Sequence, residues 1–248
     1  MINNNENIYS RLKEYLGENS GKLRIMEDVI DLSIQMDYYN ISKEIKKVDI
    51  EVDIKLLEAS LKKESLDEKL LKRAIATLGI MGEVDALRVL ENYTPTSTTI
   101  IDFCKLAIYE SKLIIESKFL EQEQILVTTG LGGKGNLFRY FIALLHTKNE
   151  IFNETETRLC KTEILENTKK NEIIVEEFYL NTDTLSFTAL IPLEKDIKAI
   201  FKEIISICNS YKLILNNNFI VTNVRKLNHD EIIEIFNTSK PSSDEPNQ

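Results

Sequence analysis

The chain has 248 residues, 43% of them hydrophobic and 29% charged, with a formal net charge of −9. That is enough apolar material for two cores of ordinary size. The acidic excess is spread over both halves, so neither carries the cationic field that non-specific nucleic-acid binding uses, and no stretch reaches the roughly 18 apolar residues of a membrane span. MINNNENIYS at the N-terminus has no apolar run or cleavage signature, and the predicted compartment is the cytoplasm. Cys104, Cys160 and Cys208 are far apart, each on an apolar-periodic segment, and read as small buried side chains. With no CxxC and no Cys/His cluster, no metal site is predicted.

In chain order, residues 1–22 read as a short helix and linker. Ile8, Leu12, Tyr15 and Leu16 share one helical face, and Gly17 stops it. Ile25, Val29, Leu32 and Met36 recur at helical spacing and predict a helix of about four turns. VDIEVDI (48–54) alternates apolar and acidic side chains, which leaves strand and helix both open over 46–54 before the helical KLLEASLKK. Ser65 with Glu68 forms a capping box opening a helix with the stripe Leu70, Leu71, Ala74, Ile75 and Leu78. Gly79 and Gly82 are read as its closing glycines. A second helix carries Ala86, Leu87, Val89, Leu90 and Tyr93 and ends at Pro95. A third, from about Ser97, carries Ile100, Ile101, Cys104, Ala107, Ile108, Ile114 and Ile115.

In LLKRAIATLGIMGEVDALRVLENY, a helix ending in Leu78-Gly79 and a Gly82-Glu83 turn precede a helix that opens on an acidic residue and Ala86-Leu87. With Arg73, Ala74 and Leu90, these positions resemble a HEAT repeat of the bacterial short type. The resemblance covers one clear repeat with two poor neighbours. No second clean copy follows at the period of about 40 residues that a HEAT array keeps. It implies a short helical stack and a role in binding or scaffolding.

From about residue 124 the period changes. ILVTT (125–129) reads as a strand, GLGGKG (130–135) as a flexible turn and LFRYFIALLHT (137–147) as a strand. Asn153 with Glu156 caps a helix through Leu159, Cys160, Ile164 and Leu165. EIIVEEFYL (172–180) and TLSFTALIPL (184–193) are strands joined by an NTD turn. Residues 196–212 carry a strong helical stripe, 217–224 form a last strand, and Asn228 with Glu231 caps a short helix. From residue 137 the order is strand, helix, strand, strand, helix, strand, the ferredoxin-like arrangement. The fold class expected is therefore α+β. A HEAT-like helical domain (23–121) follows the N-terminal segment 1–22 and precedes a ferredoxin-like α/β sandwich (122–238) and a disordered tail (239–248).

GLGGKG matches G-x-G-x-x-G, but a dinucleotide site needs a helix after the loop and an acidic strand end about 20 residues on. The loop is read as a turn, with Gly130, Gly132, Gly133, Lys134, Gly135 and Arg139 as the candidates for an anion cradle. His146 and His229 have no helical i, i+4 carboxylate set and are read as solvated or strand-end side chains. Glu176, Glu177 and Asp183 read as edge-strand charges. Phe138, Tyr140 and Phe141 could form an RNA-stacking platform only if they faced outward; alternation divides them between two faces, and core packing is expected. No catalytic residues and no cofactor are assigned. The expected function is a non-catalytic scaffold for a protein partner, with no membrane association. The alternatives are a ribosome- or RNA-associated protein, disfavoured by its charge, and a nucleotide- or anion-binding protein using GLGGKG. The oligomeric state is not read from the sequence.

Overall fold

The computed structural model describes residues 22–48, 52–63, 67–148 and 150–238. The predicted helix near residue 8, Ser65 of the predicted capping box, the middle of 46–54 and the predicted tail 239–248 fall outside them. The fold is mixed, α+β, with an antiparallel sheet. Two compact units divide at Asn136 and Leu137. The segment from 122 to 136 therefore goes with the helices, whereas the sequence grouped it with the strands.

The first unit opens with β1 (Leu23–Ile25), followed by α1 (Leu32–Ile45), α2 (Ile54–Leu61), α3 (Glu68–Met81), α4 (Val84–Asn92), α5 (Thr98–Leu120), β2 (Ile125–Val127) and β3 (Gly133–Lys134). The helix expected from Ile25 starts seven residues later. Asp31 takes the N-cap, its carboxylate accepting the Ser33 amide at 2.8 Å, and Leu23–Ile25 pairs in parallel with Ile125–Val127 instead. A parallel pair between strands of three residues leaves no hairpin signature, so β2 could not be matched to its partner by pattern. Helix α3 packs on all four other helices of the unit. Ile75, Leu78, Leu90 and Phe103 are fully buried at the centre of this core. Asp67 is the N-cap of α3, and Gly82 closes it with φ 58°, where Lys118 Nζ donates to its carbonyl at 2.9 Å. Gly79 lies inside α3 and caps nothing.

The second unit runs β4 (Leu137–His146), α6 (Glu154–Lys170), β5 (Ile174–Leu180), β6 (Thr184–Pro192), α7 (Ile197–Tyr211), β7 (Leu215–Thr222) and α8 (His229–Thr238). Its strands lie in the order β7-β4-β6-β5, each neighbour antiparallel. The register pairs Ile142 with Phe187 and Leu144 with Leu185. On that face Phe187 meets Phe201 of α7, and Phe201 meets Phe219 of β7, each at 5.8 Å between ring centres. The other face pairs Phe141 with Thr188 and Ala143 with Ser186. The segment entering α8 crosses it, with Lys226 Nζ 4.8 Å from the Tyr179 ring centre, and α8 packs on β7, burying Ile232 and Phe236.

Candidate functional site

Helix α1 turns the expected pattern round. Its buried side is Gln35, Tyr38, Ser42 and Ile45, three of them polar. Its outer side, continued from the preceding loop, displays Val29 (60% exposed), Leu32, Met36 (58%) and Tyr39 (56%). Val29, Leu32 and Met36 belong to the stripe the sequence assigns to a packed helix face, and here they face outward. The polar side is buried because its hydrogen bonds are made. Gln35 Nε2 donates to the Ile30 and Thr129 carbonyls at 2.8 and 3.1 Å. The Tyr38 ring packs edge-on against Phe103, 5.0 Å between centres, and its hydroxyl donates to Glu110 Oε2 at 2.5 Å. Ser42 Oγ donates to the same oxygen at 3.0 Å, and Lys46 Nζ reaches Oε1 at 2.6 Å. Burial first, and then the Glu110 charge, holds the Tyr38 phenol well above its ordinary pKa, so it remains a donor.

This cluster floors a cavity of about 530 Å³ between α1, α5 and the β2 segment. It is lined by Tyr39 and Lys43 of α1, by Lys46 and Lys47 just past the end of that helix, and by Leu126 and Thr128 from the β2 segment. Among the described residues, Lys46 is the one of these lysines that pairs with a carboxylate, the Glu110 side chain being 14% exposed. Lys43 Nζ sits over the Tyr39 ring, 5.6 Å from its centre. The sequence reading missed this site: Glu110 lies 72 and 68 positions from Tyr38 and Ser42, and the three follow no motif.

The GLGGKG loop is shaped by packing. Gly132 has φ 65°, and a Cβ there would stand 2.6 Å from the Glu27 carbonyl oxygen and 2.7 Å from that of Asp28. Its amide donates to the Thr129 carbonyl at 3.2 Å, and the Gly135 amide points at Glu27 Oε1 at 3.4 Å. Gly130 and Gly133 are buried and Lys134 is exposed. The loop leads into strands β3 and β4, with no helix for a phosphate to cap. A carboxylate and two carbonyls therefore face the backbone where an anion cradle needs free amides. Arg139, in the second unit, clasps Glu176 through Nε and Nη2 at 2.6 and 2.9 Å.

The remaining candidates of the second unit do not converge. His146 is buried at the end of β4, edge-on to Phe152, with Nδ1 facing the Lys148 and Glu150 amides; it is a strand-end side chain without being solvated. His229 Nε2 lies 2.7 Å from Asp183 Oδ1. Glu176 and Glu177 stand on the edge strand β5, one held by Arg139 and the other by Tyr179 and Lys226. Phe138, Tyr140 and Phe141 are all buried, so none offers a stacking surface. Cys160 and Cys208 are buried on α6 and α7, and burial pushes the Cys104 thiol up to about 12. Among the described residues no group of three or more His, Cys, Asp or Glu could hold a metal ion, and no helix is long and apolar enough to cross a membrane.

No protein-family model matches the sequence, and no curated protein matches it. Among solved structures, a REP-associated tyrosine transposase bound to a REP hairpin is similar over 36% of this chain and 58% of its own, at 12% identity and TM-score 0.32. The C-terminal domain of the MgtC protein from Mycobacterium tuberculosis is similar over 38% of this chain and 96% of its own, at 11% identity and TM-score 0.29. This chain thus spans less than two thirds of the transposase chain, and likenesses this loose carry no argument about fold or chemistry.

Proposed function

We propose that this is a non-catalytic interaction protein that receives an amphipathic helix of a partner protein on the outer face of α1. The observation that carries this reading is the exposed row Val29, Leu32, Met36 and Tyr39. Leu32, Met36 and Tyr39 recur along α1 at the three- and four-residue spacing of a helix-packing seam, and helix-in-groove recognition anchors on such rows. The row ends at Lys43, which has no carboxylate partner among the described residues, so the partner helix carries an Asp or Glu at the end that meets it. A HEAT-like reading of the first unit suits this role. It draws support from the α3–α4 pair turned at Gly82, with Ala74, Leu78, Ala86 and Leu90 packed inside. A ferredoxin-like reading of the second draws support from its element order and its strand order β7-β4-β6-β5.

A photo-crosslinking residue at position 36, with a control at Lys55 on α2, tests the reading in cells. The expected result is one discrete heterologous adduct at 36 and none at 55. A helix from the adduct's mapped segment should then bind the purified chain, and Met36→Glu should weaken it tenfold or more. Adducts that map to residues 1–21 of the same chain, or only to a second copy, would overturn the proposal. So would a mapped helix that binds the Met36→Glu variant as well as the parent.

A further inference from the structure

We infer that the cleft beside α1 binds a small phosphorylated molecule. The cleft shares Tyr39 and Lys43 with the end of the docking row, but it turns on Lys47 and the buried floor as well, and its test is read separately. The cavity, about 530 Å³, is of the size that small-molecule sites occupy. Three ammonium groups, Lys43, Lys46 and Lys47, line it against a single carboxylate, Glu110, in a chain whose net charge is −9. The Glu110 carboxylate is already engaged by Lys46, Tyr38 and Ser42, which leaves Lys43 and Lys47 with no carboxylate partner among the described residues. Lysines at or just past a helix C-terminus suit the helix dipole wherever they stand. Here they also converge on a cavity whose polar floor is held in place before any ligand arrives. Gln35, Tyr38 and Ser42 are all buried, and each is fixed by at least one hydrogen bond.

The chemistry of the lining selects the ligand class. Flexible ammonium groups act as point charges on a compact multivalent anion rather than as planar forks for a single carboxylate. Tyr39, half exposed at the mouth, offers a flat apolar wall, and Leu126 offers another on the far side. A phosphate held by Lys43 and Lys47, with its organic part against Tyr39 and Leu126, uses the two lining lysines that have no carboxylate partner among the described residues.

The test uses the full chain and four probes, inorganic phosphate, pyrophosphate, AMP and ADP, by calorimetric titration at constant ionic strength. Sulfate and citrate serve as non-phosphate anions. At least one phosphate probe should bind saturably, and Lys43→Ala/Lys47→Ala should weaken it tenfold or more. Because both lysines are exposed, the double variant should keep the parent's melting temperature. A control, Lys55→Ala/Lys69→Ala on α2 and α3, should bind like the parent. The assignment is overturned if no phosphate probe saturates, if sulfate and citrate bind as tightly, or if the Lys43/Lys47 variant binds undiminished. Photo-crosslinking at position 36 reads the partner-docking proposal without reference to any of these results.

Discussion

Tyr38 reaches the Glu110 carboxylate across residue 79, and it does so because that residue has no side chain. A Cβ at Gly79 would lie 2.7 Å from the Tyr38 hydroxyl and 3.0 Å from Cα of Ala107. The ring beneath that hydroxyl is clamped by Phe103, so it cannot swing aside. Gly79→Ala should therefore cost about 1–3 kcal/mol by overpacking, read from urea unfolding. Tyr38→Phe keeps the packing and removes one donor from a largely shielded carboxylate, a loss of about 1–3 kcal/mol. The two changes should be non-additive, because the first already displaces the hydroxyl that the second deletes. Both glycines of LGIMG are plain in the sequence, and either could have ended the helix. That Gly82 caps while Gly79 admits a tyrosine depends on which face α5 and α1 approach, information that lies some 30 to 40 positions away along the chain in either direction.

At the scale of the element, α1 shows where periodicity stops being informative. The spacing of Val29, Leu32 and Met36 was legible, but the usual inference from spacing to burial reverses once the other face carries polar groups that are all satisfied. Met36→Glu should accordingly leave unfolding free energy within about 0.5 kcal/mol of the parent, where a core position would lose several times more. Helix α8 behaves as predicted at its start. Asn228 and Glu231 exchange amide bonds at 2.9 and 3.0 Å. Asn228→Ala should cost about 1 kcal/mol, seen as lost amide protection over 229–238.

The docking of α8 also depends on pH from both sides. Arg225 beside Glu231 lowers that carboxyl to about 2, so its contribution is present above the unfolded value near 4.3 and lost as pH falls toward 2. Asp183 beside His229 raises the imidazole pKa, so that contribution is present below the unfolded value near 6.5 and lost as pH rises through the raised one. Protection of α8 amides, compared at matched intrinsic exchange rates, should be greatest between about pH 4.3 and 6.5. His229→Asn should remove the decline on the alkaline side.

For the whole molecule, the second unit was the more readable half. Alternation along β5 and β6, the NTD turn between them and the phenylalanine stripe of α7 are local signals, and each element formed where they stand. The boundary and the first unit's short strands were not readable, because Leu23 finds Ile125 across about a hundred residues. If residues 137–248 are a folded unit in their own right, they should unfold cooperatively when expressed alone. Phe187→Ala in that fragment should cost about 3–5 kcal/mol, since its ring is fully buried between Phe178 and Phe201.

The pairing of Leu23–Ile25 with Ile125–Val127, extended by the Met26 amide to the Val127 carbonyl at 3.1 Å, seats the strand before α1 beside the strand after α5. An open solenoid frays from its termini and tolerates lengthening by whole repeats. With the segments before α1 and after α5 tied to each other, α1 to α5 should instead unfold in one transition, read as uniform amide protection across the five helices. A circular permutant of this unit, opened between Asn92 and Thr98 and closed from β2 to β1 by a linker long enough for a parallel crossover, should therefore keep its helix content, read by circular dichroism.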